Sequence, residues 1–242
     1  MLSFYPLLNE LELTGRASTH VVQRTDLGAA LHQDVLEAYL ALKAAAGSDG
    51  IELQIASGFR DFTAQLRIWN MKYRGERPLF DVSGNVRDPA NLDVGRRIEE
   101  ILCWSALPGA SRHHWGTDID VIDRAALPEN YRYRLLPGEY EAGGVFHRLR
   151  VWLDENMGRF GFFRPYDEYR GGVYPELWHL SHAVLSTTAL QLLTQDLVAE
   201  TVRASDVLGK EHVLANLPEI YRKYVVNISA LPAGAGAPPR TA

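Results

Sequence analysis

Residues 111–121 read SRHHWGTDIDV, and this stretch decides how the rest of the chain is organised. Ile119 and Val121 alternate with polar positions as a half-buried strand does, so Asp118 and Asp120 share the opposite face. His113 lies seven residues before Asp120, across Gly116. A turn at Trp115-Gly116 would let both side chains converge on one point. Two further segments gather polar groups beside a predicted strand: YPELWHLSH at 174–182 and SGFRDFTAQ at 57–65. His179 can complete a ligand set from a neighbouring strand. Glu176, three residues earlier, can reach water at that set without joining it. A catalytic zinc takes three His or carboxylate ligands and keeps one position open. Among common ions Zn2+ suits a His2Asp set best. Spacing alone leaves this metal reading beside a blander one, in which the histidines are structural. His114 could stand in for His113, but neighbours on a strand face opposite sides, so only one should serve.

Outward from these segments the chain reads as helices around few strands. Residues 1–25 form an irregular or short-stranded lead-in. From Asp26, Leu27, Leu31, Val35, Tyr39 and Leu42 recur at helical spacing until Gly47. IELQIAS at 51–57 alternates as a strand, and Phe62, Leu66, Trp69 and Tyr73 mark one face of a second helix. Residues 74–90 are loop, 91–103 a third helix, and 123–142 a long irregular excursion of the kind that is usually functional or mobile. A fourth helix covers about 145–159, a short strand ends the segment 162–182, and two helices follow at about 186–204 and 209–224. The tail ALPAGAGAPPRTA is predicted to be disordered. Helices outnumber strands without alternating with them, which predicts an α+β fold with a small, mostly antiparallel sheet. Residues 1–229 are expected to form a single domain, with a motif-bearing core at about 50–182.

The 242 residues carry a net charge of −5 and 46% apolar residues, the profile of an ordinary globular protein. Proteins that lie along nucleic acid or an anionic wall usually carry a basic surface, so the balance argues against both. The one cysteine, Cys103, excludes an intramolecular disulfide and reads as a small buried hydrophobe. MLSFYPLLNELELTGRAS has no basic n-region and interrupts any apolar core with Pro6, Asn9, Glu10 and Glu12. This predicts no signal peptide, no membrane span and a cytoplasmic location.

SRHHWGTDID resembles the S-x-H-x-x-G-x-A-x-D signature of zinc D-alanyl-D-alanine carboxypeptidases of the VanY type, and ELWH matches their E-x-W-H. SGFRDFTAQ is similar to the family's S-G-Y-R-S segment with its following Gln, and VWLDENMGRFGFFRPY (151–166) to the segment before E-x-W-H. The four agree in order and spacing over about 50–182. The wider group shares its fold with lysostaphin-type peptidases and the zinc domain of hedgehog signalling proteins. By position, the resemblance implies His113, Asp120 and His179 as zinc ligands, Glu176 as general base and Arg60 as oxyanion stabiliser. Ser111 and Gln65 become candidate contacts to the substrate, and Arg60, Arg112 or Arg164 candidate readers of its free carboxylate. Arg164 has a surface role as its alternative. The family's alanine is Asp118 here, which would then support a ligand histidine. The serine after the family's arginine is Asp61.

The implied partner is a peptidoglycan stem peptide or muropeptide, losing its terminal D-alanine. In the cytoplasm, D,D activity would attack the pentapeptide precursor, whereas L,D activity on recycled tetrapeptides would be useful; the expectation is therefore an L,D-carboxypeptidase. D,D-carboxypeptidase, phage-type endopeptidase and non-catalytic zinc-stabilised peptide-binding module remain as alternatives. A purely structural zinc needs neither Glu176 nor Arg60 and tends to have four protein ligands.

Overall fold

The structure is a computed structural model and describes residues 7–81 and 85–231. A short helix α1 (Glu10–Leu13) opens it, with Asn9 accepting from the Leu11 and Glu12 amides. A hairpin follows, β1 (Val21–Arg24) paired with β2 (Ala29–His32). The single helix expected from Asp26 onward is therefore a hairpin and then a helix, α2 (Leu36–Ser48). Gly28 sits at φ 68° in the hairpin turn, a conformation that breaks helical continuity. The spacing of Leu27 and Leu31 matched a helix by coincidence; both are core residues of the hairpin. Helix α2 is built of strong helix formers and buries Tyr39, Leu42 and Ala46.

The central sheet has four strands in the order β3 (Leu53–Ser57), β6 (Asp118–Asp123), β8 (His179–His182) and β7 (Phe162–Phe163). All its pairings are antiparallel. β6 is buried on both faces, not one, because it lies inside the sheet. Its apolar face joins a core with β3, α2 and Trp152 of helix α6 (His147–Asn156). Its polar face meets the site. A further short pair, β4 (Leu79–Phe80) and β5 (Val86–Arg87), occupies the stretch expected to be loop.

Helix α3 (Phe62–Tyr73) is capped by Asp61, whose carboxylate accepts from the Ala64 amide at 2.7 Å. That is what the departure from the family's serine does here. Helix α4 (Val94–Leu102) is capped in the same way by Asp93. The excursion at 123–142 contains a 3-10 turn, Arg124–Ala126, and one α-helical turn, α5 (Pro137–Tyr140). Each expected C-terminal helix is divided: α7 (Ala183–Leu192) from α8 (Gln195–Arg203), and α9 (Lys210–Ala215) from α10 (Leu217–Ile220). Thr194 starts α8 by accepting from the Leu197 amide, and Pro218 fits only a helix's first turn. These helices form a second core with α3 and α4, and Trp104 packs against both cores. Among the described residues no helix is long and apolar enough to cross a membrane. The disordered tail expected from Ala230 falls mostly on 232–242, outside the described residues.

His182 is buried under the sheet with its ring edge-on to Phe162, and its Nδ1 has no hydrogen-bond partner. Burial, with nearby His32 adding to it, lowers its pKa to about 4. Unfolded imidazole titrates near 6.5, so its contribution to stability is full above pH 6.5 and is lost as pH falls toward 4. In His182→Gln, the drop in melting temperature between pH 7 and pH 4.5 should be smaller than in the wild type by on the order of 5 °C. Parallel melting curves measured at the two pH values would count against this; equal drops would show that His182 does not titrate on unfolding.

Candidate active site

Antiparallel pairing of β6 with β8 sets Asp120 directly opposite His179. His113 arrives from a 3-10 turn, Arg112–Trp115, and not from a strand. The turn closes at Gly116, φ 65°, where a Cβ would lie 2.7 Å from the His32 amide nitrogen. Only glycine fits there. Ligand atoms of His113, Asp120 and His179 all lie within 4.8 Å of one another, and all three residues are buried. His114 points elsewhere: its Nδ1 hydrogen-bonds the Arg60 carbonyl at 2.6 Å and its Nε2 accepts from the Gly109 amide at 3.2 Å.

Hydrogen bonds orient each imidazole. His113 Nδ1 meets the Gly58 carbonyl at 2.9 Å, which turns Nε2 toward Asp120 Oδ2, 3.4 Å away. His179 Nε2 donates to Asp118 Oδ1 at 3.0 Å, which turns Nδ1 toward Asp120 Oδ1 at 3.3 Å and Glu176 Oε2 at 3.2 Å. Asp118 in turn accepts from Arg112 Nε at 2.7 Å and from the Thr117 hydroxyl at 2.6 Å. Asp120 Oδ1 is buried with no hydrogen bond. A buried carboxylate with an orphaned oxygen, facing two imidazole nitrogens that are each fixed through the other ring atom, fits a divalent transition metal.

Electrostatics agree with that fit. Burial opposes charge on His179, but the nearby carboxylates of Asp118, Asp120 and Glu176 outweigh it and raise its pKa well above the usual value. Without metal, a proton thus stands in for the cation. Burial lowers His113 to about 4, so it offers a neutral nitrogen. Burial also raises Glu176 above the usual carboxylate range.

A cavity of about 320 Å³ opens over the cluster. Arg60 lines it, held by Nη1 on Gln65 Oε1 and Nη2 on Ser57 Oγ, both at 2.8 Å. Ser111 also lines it. Gln65 is fully buried and spends its amide on the Ala106 carbonyl, so it steadies Arg60 from behind. Arg164 is buried and is not among the residues lining the cavity: it donates to the Leu177 carbonyl at 2.8 Å and pairs with Asp154. Trp178 stacks on Trp104 as an aromatic wall, while Trp115 is core. Cys103 is buried and burial raises its thiol to about 11, as inert as the sequence suggests.

Several residues at the cavity escaped sequence reading. Lys72 continues the α3 face of Gln65 and Ile68 at spacings of three and four, a signal overlooked beside the apolar stripe. Arg77 and Ser105 lie in loops without pattern. The Tyr166 carbonyl accepts from the Glu176 amide at 2.9 Å, and its ring stands edge-on to His179. Arg134, Leu135 and Leu136 bring the excursion to the cavity, with Leu135 at φ 56°, a strained backbone for a bulky side chain.

The sequence profile of the VanY family, described as D-alanyl-D-alanine carboxypeptidase, matches residues 28–184. The chain belongs to the VanY family of carboxypeptidases. An uncharacterised Haemophilus influenzae protein is 34% identical over 128 residues, spanning 52% of this chain and 95% of its own. Among solved structures, VanYB in complex with D-Alanine-D-Alanine superposes with a TM-score of 0.52 at 22% identity, covering 79% of this chain and 92% of that one. The LD-carboxypeptidase LdcB gives 0.50 at 16% identity, covering 87% and 80%. At such identities these two show a shared fold, in agreement with the α+β reading.

Replacing Asp118 with Ala, the residue usual in VanY relatives, frees His179 Nε2 and leaves Arg112 without its carboxylate. Zinc affinity, measured by competition with a chromogenic chelator, should fall about 10–100-fold. Unchanged affinity would make Asp118 a partner of Arg112 alone.

Proposed function

We propose that this VanY-family protein is a zinc-dependent carboxypeptidase that releases the terminal D-alanine of peptidoglycan stem peptides. The reading rests on one juxtaposition: Glu176 stands 3.2 Å from His179 at the edge of the three-residue cluster, inside a cavity that Arg60 also lines. His113, Asp120 and His179 would hold the metal. Zinc there supplies Lewis-acid polarisation and a lowered pKa for water. Glu176, with its raised pKa, takes the proton of the attacking water and returns it to the leaving amine. Arg60, anchored on Gln65 and Ser57, stabilises the oxyanion that develops on the scissile carbonyl. Three ligands with room for water, together with a base, support an enzyme over a closed structural zinc site.

The tetrapeptide preference, L,D activity, rests on the expected compartment alone. The family description and the D-Alanine-D-Alanine bound to VanYB favour the D,D reading, and LdcB is an LD-carboxypeptidase of the same fold. The one-domain reading is supported by Tyr224, a C-terminal residue that lines the cavity alongside residues of the sheet.

Mass spectrometry of defined tetrapeptide and pentapeptide muropeptides, with zinc and with chelator, tests both levels. Loss of one alanine, abolished by chelator and reduced about 10²–10⁴-fold in Glu176→Gln, is the expected outcome. Loss from the tetrapeptide assigns L,D activity, and loss only from the pentapeptide assigns D,D. Cleavage of neither by the zinc-loaded protein would leave a binding module.

A further inference from the structure

An exopeptidase must recognise a free carboxylate one residue beyond the scissile bond. Each of the arginines proposed for this from sequence is already held by other groups, although Arg112 and Arg60 line the cavity. Arg164 is committed to Asp154 and the Leu177 carbonyl and does not line the cavity. Arg112 is committed to Asp118 and the Ser181 hydroxyl, both at 2.7 Å, and stacks over Trp115. Its remaining Nη1 has no partner but is sealed from solvent. Arg60 is tethered beside Asp120 and Glu176, where the carbonyl oxygen would sit.

A different pair of cations remains. Lys72, on the cavity-facing side of α3, donates to the Ser105 hydroxyl at 2.6 Å. Arg77 stands at the exposed mouth of the same cavity. Among the described residues, neither has a carboxylate within ion-pair distance. Two like charges gathered in a cavity without a counter-ion are unfavourable until an anion arrives. Burial and the charge of Arg77 lower the Lys72 pKa to about 8. Lys72 and Glu176 line the same cavity, so a departing residue whose amine takes its proton from Glu176 can present its carboxylate to that cation.

We propose that Lys72, steadied by Ser105 and flanked by Arg77, seats the terminal carboxylate of the departing residue. This deepens the carboxypeptidase reading and rests on it. The seat makes a hydrolytic metal site an exopeptidase, because an amide or a continuing chain would bring the cation no counter-charge. Arg60 keeps its separate place at the carbonyl.

The test compares free-acid and C-terminally amidated forms of the tetrapeptide and pentapeptide on zinc-loaded protein. Wild type should prefer the acid, and the acid-to-amide ratio of kcat/KM should fall about tenfold or more in Lys72→Met. Lys72→Arg should keep most of the preference, and Arg77→Gln should lower it by a smaller factor. Zinc content and melting temperature show whether Lys72→Met remains folded; if it does not, Arg77→Gln and Ser105→Ala carry the comparison. Calorimetric binding of the same peptides to zinc-loaded Glu176→Gln gives the ratio without turnover. Binding preference that depends on Lys72, with no cleavage by wild type, would sink the enzymatic reading and keep the seat. Cleavage by wild type with a ratio indifferent to Lys72→Met and Arg77→Gln would overturn the seat and keep the enzyme.

Discussion

Pairing between β6 and β8 holds the site in register, and the other parts of the molecule depend on it. Asp120 faces His179 across the two strands, and Asp118 faces Ser181. The ladder continues at both ends, with the His182 amide on the Thr117 carbonyl and the Val121 amide on the Trp178 carbonyl. A slip of one residue would turn both aspartates into the apolar core and bring Ile119 and Val121 to the cavity. The burial of Ile119, Val121 and Leu180 forbids it. The sheet's hydrophobic face therefore enforces the geometry of its polar face. The β1–β2 hairpin adds clamps, with the Phe59 amide on the Ala30 carbonyl and the His32 amide on the Gly116 carbonyl. These fix the loops that carry Arg60 and His113.

Charge is arranged with the same economy. Three carboxylates, from Asp118, Asp120 and Glu176, converge on His179. Arg112 neutralises Asp118, which leaves Asp120 and Glu176 to share a cation. In a low-dielectric pocket that imbalance is costly in the absence of metal and favourable in its presence. In the same cavity Lys72 and Arg77 add positive charge. A substrate with a carbonyl at one end and a carboxylate at the other would meet both.

The rim is less regular. Arg134 stacks over Phe80, and Leu135 holds a left-handed backbone beside the cavity. Such conformations persist where the surroundings over-determine them. Here the excursion between β6 and α6 packs Leu135 against the sheet core while its neighbours reach the cavity. Tyr140 anchors the far end of the excursion through its hydroxyl on the Val121 carbonyl at 2.8 Å.

Much of this was legible in the chain. The strand at Asp118–Asp123 follows from residue alternation, and the set His113, Asp120 and His179 follows from the family resemblance, since spacing alone left a structural role for the histidines open. The hairpin at 21–32 was not, because Leu27, Leu31 and Val35 satisfy a helical period and nothing local reveals that Gly28 turns the chain back. Gln65 and Arg164 carry polar groups whose partners lie outside their own elements, at Ala106 for Gln65 and at Leu177 and Asp154 for Arg164. Whether a guanidinium meets solvent, substrate or a buried carboxylate is a matter of packing. Lys72 shows the same limit: its helical spacing was visible, but only the folded chain brings Ser105 to it and, among the described residues, leaves it no carboxylate within ion-pair distance. Sequence by itself determined which atoms could bind a metal, since that depends on side-chain chemistry. Tertiary structure decided which charges remain unpaired, since pairing depends on neighbours that only folding supplies.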